Sequence, residues 1–136
     1  MIINQGIDIV ENKRIEKIIN KYGPKFVNRI FSSLEIKNGN LLSNISSIRM
    51  IQKYSSRFAA KEAVSKALGS GFSGGLKFCE IEVLSDLKGK PFLSFTGFAD
   101  KKLKKLAKKN KSIKVDISMS NEKNYSIAIA TISEIS

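Results

Sequence analysis

Residues 57–71 read RFAAKEAVSKALGSG, and this stretch decides the architecture. On a helical wheel Ala60, Ala63, Val64 and Ala67 fall on one side, and side chains that small let another layer pack closely. The helical period extends back to about Ile48 and is broken after Leu68 by Gly69-Ser70-Gly71, which predicts one long helix over 48–68 with a tight turn behind it. Phe58, Glu62, Ser65 and Gly69 follow a second face, and Arg57 and Lys61 form a basic ridge beside it.

Upstream of this helix, Ile2 to Val10 reads as a strand with Ile3, Ile7 and Ile9 among its apolar positions and Gly6 as a bend or close-approach point. From Asn12, placed to cap a helix, Ile15, Ile18, Ile19 and Tyr22 take helical spacing until Gly23-Pro24 stops it. Pro24 suits the first turn of a second short helix carrying Phe26, Val27 and Ile30, and the Asn/Ser-rich segment 34–47 reads as a short helix and a mobile loop. Downstream, 71–75 is a loop, Phe78 to Leu84 a strand, Asp86 to Pro91 a turn, and Phe92 to Thr96 the hairpin partner. Ala99, Leu103, Leu106 and Ala107 mark a final helix whose other faces are almost all lysine. Ile113, Val115, Ile117 and Met119 then alternate, 121–124 turns, and Ile127 to Ile132 makes the last strand. The sum is an α+β fold, an antiparallel sheet packed with one long helix, over a single domain spanning 1–136.

The 136 residues, 42% hydrophobic and 26% charged, suit one soluble domain able to bury roughly two-thirds of its unfolded surface. Lys+Arg 24 against Asp+Glu 12 leaves a net charge of +12, which favours anionic partners. The absence of histidine excludes Ser-His-Asp, Cys-His and His-metal chemistry, so any catalysis must run on carboxylates, lysines, hydroxyls and hard metal ions. Cys79, the one cysteine, cannot form an intrachain disulfide. The apolar runs fall far short of the ~20 residues of a membrane span, and MIINQGIDIVENKR lacks the pattern of a secretion signal, so a cytoplasmic setting is expected.

Three stretches bear on chemistry. In GIDIVENKRI (6–15), Asp8 stands inside an apolar strand, where burying an unpaired carboxylate would cost several kcal/mol. It should therefore meet a cation, a metal or strong donors; a solvated Asp at a strand end is the plain alternative. In RFAAKEAVSKALGSG, Glu62 and Lys66 can be an ordinary helix pair contributing about 0.3–0.5 kcal/mol. Alternatively Arg57, Lys61 and Lys66 present cations to phosphates, and the Gly-Ser-Gly turn brings main-chain N–H groups near an anion. If Asp8 and Glu62 converge they repel by about 4 kcal/mol at 4 Å under an effective dielectric of 20, and a divalent cation would relieve that. Two carboxylates without His or Cys suit Mg2+, which completes its octahedron with water and phosphate oxygens. The third stretch, IEVLSDLKGKPFLSF, reads mainly as a hairpin.

Taken in order, GIDIVENKRI, RFAAKEAVSKALGSG, IEV..D..GKP..SF and the terminal VDIS…YSIAIATI pair closely resemble the holo-acyl-carrier-protein synthases, the small bacterial 4'-phosphopantetheinyl transferases, over nearly the whole chain. The resemblance implies transfer of the 4'-phosphopantetheine arm from coenzyme A to a serine of an apo acyl carrier protein in fatty-acid biosynthesis, with adenosine 3',5'-bisphosphate as the other product. It implies Mg2+ held by Asp8 and Glu62, and a trimer with coenzyme A in clefts between subunits. At matching positions Arg57, Lys61, Lys66 and the turn Gly69, Ser70, Gly71 would face coenzyme A phosphates, with Ser118 and Met119 beside the nucleotide. Arg14, Lys21, Lys25 and Arg29 would dock the acidic carrier, with Ile18 and Phe26 as apolar anchors.

The residues fit that chemistry on their own terms. Breaking a pyrophosphate bond builds charge on the leaving phosphate, which cations stabilise. The nucleophile arrives on the partner. Glu62, acting through a water, is the favoured base; direct proton abstraction by Glu62 is the variant of that reading, and Lys66 would qualify only with a lowered pKa. The family carries a serine–hydrophobic–Ser/Thr–His run near the last strands, where this chain reads Asp116-Ile117-Ser118-Met119, with Met119 at the histidine's place. That departure should act on nucleotide affinity more than on the reaction. The competing readings are a family member that binds coenzyme A or carrier without full turnover, and a basic module binding nucleic acid through 101–114. The second lacks interleaved aromatics and any recognition motif.

Overall fold

The computed structural model describes residues 1–69, 71–72 and 74–136. A first strand, β1 (Ile2–Glu11), turns without a break into α1 (Asn12–Tyr22), followed by α2 (Pro24–Ile30) and α3 (Ser33–Gly39). The long helix α4 (Ile48–Leu68) comes next, then a short 3-10 turn over Phe78–Glu80, the hairpin β2 (Ile81–Ser85) and β3 (Pro91–Phe95), α5 (Gly97–Lys104), and the closing pair β4 (Ser112–Asn121) and β5 (Tyr125–Ile135). The strands form a three-stranded antiparallel sheet in the order β1-β5-β4 and a separate two-stranded one, β2-β3.

Close packing of α4 on the sheet rests on small residues from both sides. Ala60, Ala63, Val64 and Ala67 are all essentially inaccessible, as are Ala128 and Ala130 of β5. Gly6 lets β1 cross the helix at main-chain distance: a Cβ there would collide with the Ala63 carbonyl oxygen and lie 2.8 Å from the Ala67 amide nitrogen. The close-approach reading of Gly6 is therefore the correct one of the two.

Boundaries and one role differ from the sequence reading. Asn12 does not cap α1; Glu11 occupies that position without a side-chain bond. Asn12 is buried instead, donating through Nδ2 to the carbonyls of Glu122 (2.9 Å) and Lys123 (3.2 Å) and accepting at Oδ1 from the Ser126 hydroxyl. It ties the β4–β5 turn to the β1–α1 junction, and only the return of the last hairpin to the first strand makes that possible. The stretch 78–84 begins with a 3-10 turn because Glu80 Oε1 accepts from Lys77 N while Glu80 Oε2 accepts from Phe98 N, pulling the chain out of the extended form. The hairpin partner starts at Pro91, and α5 ends before Leu106 and Ala107.

The segment read as a short helix and mobile loop contains α3, opened by a capping box. Ser32 Oγ accepts from Glu35 N, and Glu35 Oε1 accepts from Ser32 N. On the far side of the sheet, β-strand alternation leaves Ile7, Ile9, Ile127 and Ile129 exposed in two cross-strand rows, Ile7 beside Ile129 and Ile9 beside Ile127.

Candidate active site

Asp8 lies on the face of β1 that carries Gly6 and Val10 toward α4, with its side chain 17% exposed. Lys66, near the C-terminal end of α4, sets its Nζ 3.0 Å from Asp8 Oδ1 and donates to the Ile7 carbonyl, also at 3.0 Å. A cation suits that helix end, where unpaired carbonyls concentrate partial negative charge. Glu62 stands one turn earlier. Burial raises its pKa first, the Asp8 carboxylate raises it further, and Lys66 and Arg14 work in the opposite direction. The strand and helix thus bring Asp8, Glu62 and Lys66 together, as the sequence suggested. Asp8 is the paired carboxylate of the two alternatives.

Asp8 and Glu62, near enough for one carboxylate to raise the pKa of the other, supply hard oxygen donors that fit a divalent cation taking further ligands from water and a substrate. No cluster of three or more His, Cys, Asp or Glu residues exists among the described residues, so a cation here would depend on those outside ligands.

A cleft of about 600 Å3 runs from Glu62 along α1 and α2. Arg14, Lys25 and Arg29 supply its charge, and Ile18, Phe26 and Phe58 its apolar floor. The Arg14 guanidinium lies 5.9 Å from the Phe58 ring centroid. Phe58 in turn stacks on Phe78 at 5.3 Å. Lys21 joins this surface only through Tyr22, whose ring its ammonium covers at 5.2 Å.

A second cleft, of about 710 Å3, opens on the other side of Arg57 and is lined by Arg49, Lys53, Arg57, Met119 and neutral polar side chains, with no carboxylate among the described residues. Arg57 is 8% exposed and donates to Ser85 Oγ at 3.2 Å. Burial lowers the pKa of Lys53, and repulsion from Arg57 and Arg49 lowers it further, so this cleft is short of negative charge. Sequence reasoning missed Arg49 and Lys53; their spacing of four from one another and from Arg57 puts all three on one helical stripe, which was the available signal.

Three assignments need correction. Lys61 cannot meet a phosphate: it is fully buried, 2.7 Å from Glu35 Oε1, and it spends its other protons on the Phe78 and Ile81 carbonyls. On the side of α4 that carries Lys61, Glu35 of α3 and the chain leading into β2 take the place of solvent. The Gly69 and Gly71 N–H groups are engaged by the Lys66 and Ser65 carbonyls, so neither glycine is a free donor to an anion. Ser70 lies outside the described residues. Finally, Ser118 and Met119 occupy opposite faces of β4, and only Met119 lines the larger cleft within one chain.

Comparisons with known proteins place the chain in one family. A family model described as the 4'-phosphopantetheinyl transferase superfamily matches residues 5–130. The holo-[acyl-carrier-protein] synthase of Pelagibacter ubique is 43% identical over 130 residues, covering 93% of each chain. The synthase of Halothermothrix orenii is 39% identical over 94% of each. The crystal structure of the Neisseria meningitidis synthase matches with a TM-score of 0.81 at 32% identity, covering 98% of this chain and 99% of that one. The Bacillus anthracis synthase, in complex with coenzyme A (3',5'-ADP), matches at 0.76 with 34% identity, over 100% and 99%. With a family model matched over residues 5–130 and relatives alike along nearly all their length, this chain belongs to the 4'-phosphopantetheinyl transferase superfamily.

Proposed function

We propose that the protein is a holo-acyl-carrier-protein synthase, moving the 4'-phosphopantetheine arm of coenzyme A onto a serine of an apo acyl carrier protein in fatty-acid biosynthesis. The observation that carries this reading is the meeting of Asp8, Glu62 and Lys66, with Glu62 lining the basic cleft framed by Arg14, Lys25 and Arg29, in a chain of this family. The carrier's serine oxygen bonds to the phosphorus attached to pantetheine while that phosphorus parts from the oxygen bridging to the nucleotide. The electron pair leaves on adenosine 3',5'-bisphosphate, and the serine proton passes through a water to Glu62. Burial and Asp8 raise the proton affinity of Glu62, which suits a base working near neutral pH.

Mg2+ held by Asp8 and Glu62 would neutralise charge on the diphosphate. Lys66 already donates in two directions, the posture of a clamp, and serves as a cation rather than as the base. Arg57, with Arg49 and Lys53, holds the phosphates of the nucleotide. Those three cations line the same cleft as Met119, so the cleft is positive without the histidine. Arg14, Lys25 and Arg29 meet the acidic carrier while Ile18 and Phe26 receive its apolar side chains, with Lys21 adding charge nearby.

The exposed isoleucine rows support a trimer joined through the three-stranded sheet. Ser118 lies on that same exposed face, so an interfacial site would bring it to a ligand held by a neighbour. No helix among the described residues is long and apolar enough to cross a membrane, in keeping with work in the cytoplasm on a diffusing carrier. The deciding experiment incubates the protein with coenzyme A, Mg2+ and an apo carrier and weighs the carrier by mass spectrometry. A gain of one phosphopantetheine is expected. No gain, while a known transferase succeeds in parallel, would reject the reading.

A further inference from the structure

Lys66 holds the position a cation would take at Asp8. Its Nζ reaches Asp8 Oδ1 and the Ile7 carbonyl, both at 3.0 Å, so one ammonium is clamped by a carboxylate and a main-chain oxygen of the same strand. The Asp8 side chain is only 17% exposed, and the ammonium sits on one of its two oxygens. The lysine itself is different: its side chain is 52% exposed and bonds β1 through its ammonium. It can swing away without opening the core. A half-exposed pair of this kind contributes little to stability and is easily exchanged.

We infer that Lys66 is a place-holder for the divalent cation: it neutralises the Asp8–Glu62 pair while no metal is bound, and yields Asp8 to the entering ion. This rests on the two-carboxylate metal site proposed above. Two consequences follow from charge alone. Binding of metal must first break the Lys66–Asp8 contact, so the free protein binds metal more weakly than its two carboxylates would on their own. The released ammonium then becomes available to the anionic substrate, so metal and diphosphate each favour the other's binding, as linkage requires. Lys66 acts here as a positioning residue for the metal, in addition to any contact with phosphate.

The test titrates Mn2+, as a stand-in for Mg2+, into the nucleotide-free full-length protein and counts free Mn2+ by electron paramagnetic resonance. Lys66→Met should bind Mn2+ more tightly than the unaltered chain, by up to about five-fold, the equivalent of a weak surface pair lost as competitor. Lys109→Met, removing a charge remote from the site, should leave the affinity unchanged. In parallel, the Lys66 side-chain 15N–1H signal should be seen hydrogen-bonded without metal and should shift on adding Mg2+. Equal or weaker Mn2+ binding by Lys66→Met, or a Lys66 signal indifferent to saturating Mg2+, overturns the place-holder while leaving the metal site intact. If neither protein binds Mn2+, with or without coenzyme A, the metal reading itself falls and takes this inference with it.

Discussion

At Glu62, burial and the Asp8 carboxylate act in one direction and Lys66 and Arg14 in the other, and the net is a carboxyl that holds its proton more tightly than in the unfolded chain. A folded-state pKa above the unfolded one favours the folded state at low pH, and that contribution is lost as pH rises through the folded value. Glu62→Gln should therefore stabilise the metal-free protein at pH 7, with the gain shrinking toward pH 4; melting temperatures across that range check it. The same substitution should lower turnover by about 10²-fold or more, as should Asp8→Ala, because each removes charge placed for the transition state. At Lys61 burial again works against the charged form and lowers the pKa, while Glu35 acts in the other direction. The Lys61 ammonium is sealed against Glu35, whose other oxygen accepts from Val83 N at 3.0 Å. Lys61→Met strands that carboxylate and should cost about 3–5 kcal/mol in urea unfolding. Replacing Glu35 as well, in Glu35→Leu/Lys61→Met, should recover most of it.

The elements were legible in proportion to how local their causes are. Helix α4 was readable to its ends, because Ser47 caps it and Gly69 closes it in the left-handed conformation. Strand β1 and the alternation of β4 were equally plain. Glu35 was not singled out as a partner for Lys61, although the Ser32-x-x-Glu35 capping box stands in the sequence, because nothing local says that α3 will cover the basic side of α4. Asn12 was misread for the same reason, since its partners lie at the far end of the chain. Asp8 was legible as a charge out of place in an apolar strand, whereas Glu62 passes for half of a helix pair, and Arg49 and Lys53 do not stand out because a basic stripe on an exposed helix end looks like solvation. Gly6 gives the element scale its own test. Where β1 crosses α4 a methyl group has no room against the Ala63 carbonyl. Gly6→Ala should thus destabilise the fold by about 1–3 kcal/mol and, by shifting β1, separate Asp8 from Glu62. Loss of Mn2+ affinity in protein that remains folded is the signature to look for.

For the molecule as a whole, two surfaces set what it can meet. The positive surplus of +12 is arranged so that Arg14, Lys25 and Arg29 frame the cleft leading to Glu62. Encounter with an acidic carrier should then weaken with salt, the apparent KM rising from low to physiological ionic strength while kcat holds. The opposite surface, the outer face of the three-stranded sheet, obeys different physics. Ile7, Ile9, Ile127 and Ile129 are each 37–60% exposed and sit side by side on paired strands, a contiguous apolar patch of the kind that marks an interface. A charge placed at its centre must be desolvated when copies associate but stays wet in an isolated chain. Ile129→Lys, between Ile7 on one strand and Ser118 on the other, should therefore leave the monomer folded and abolish assembly. Sedimentation or light scattering reads the mass, and circular dichroism the fold. If the clefts are completed by a neighbour, coenzyme A affinity falls with the mass. A variant that stays trimeric, or an unaltered protein that is monomeric at micromolar concentration, would remove this face from the assembly.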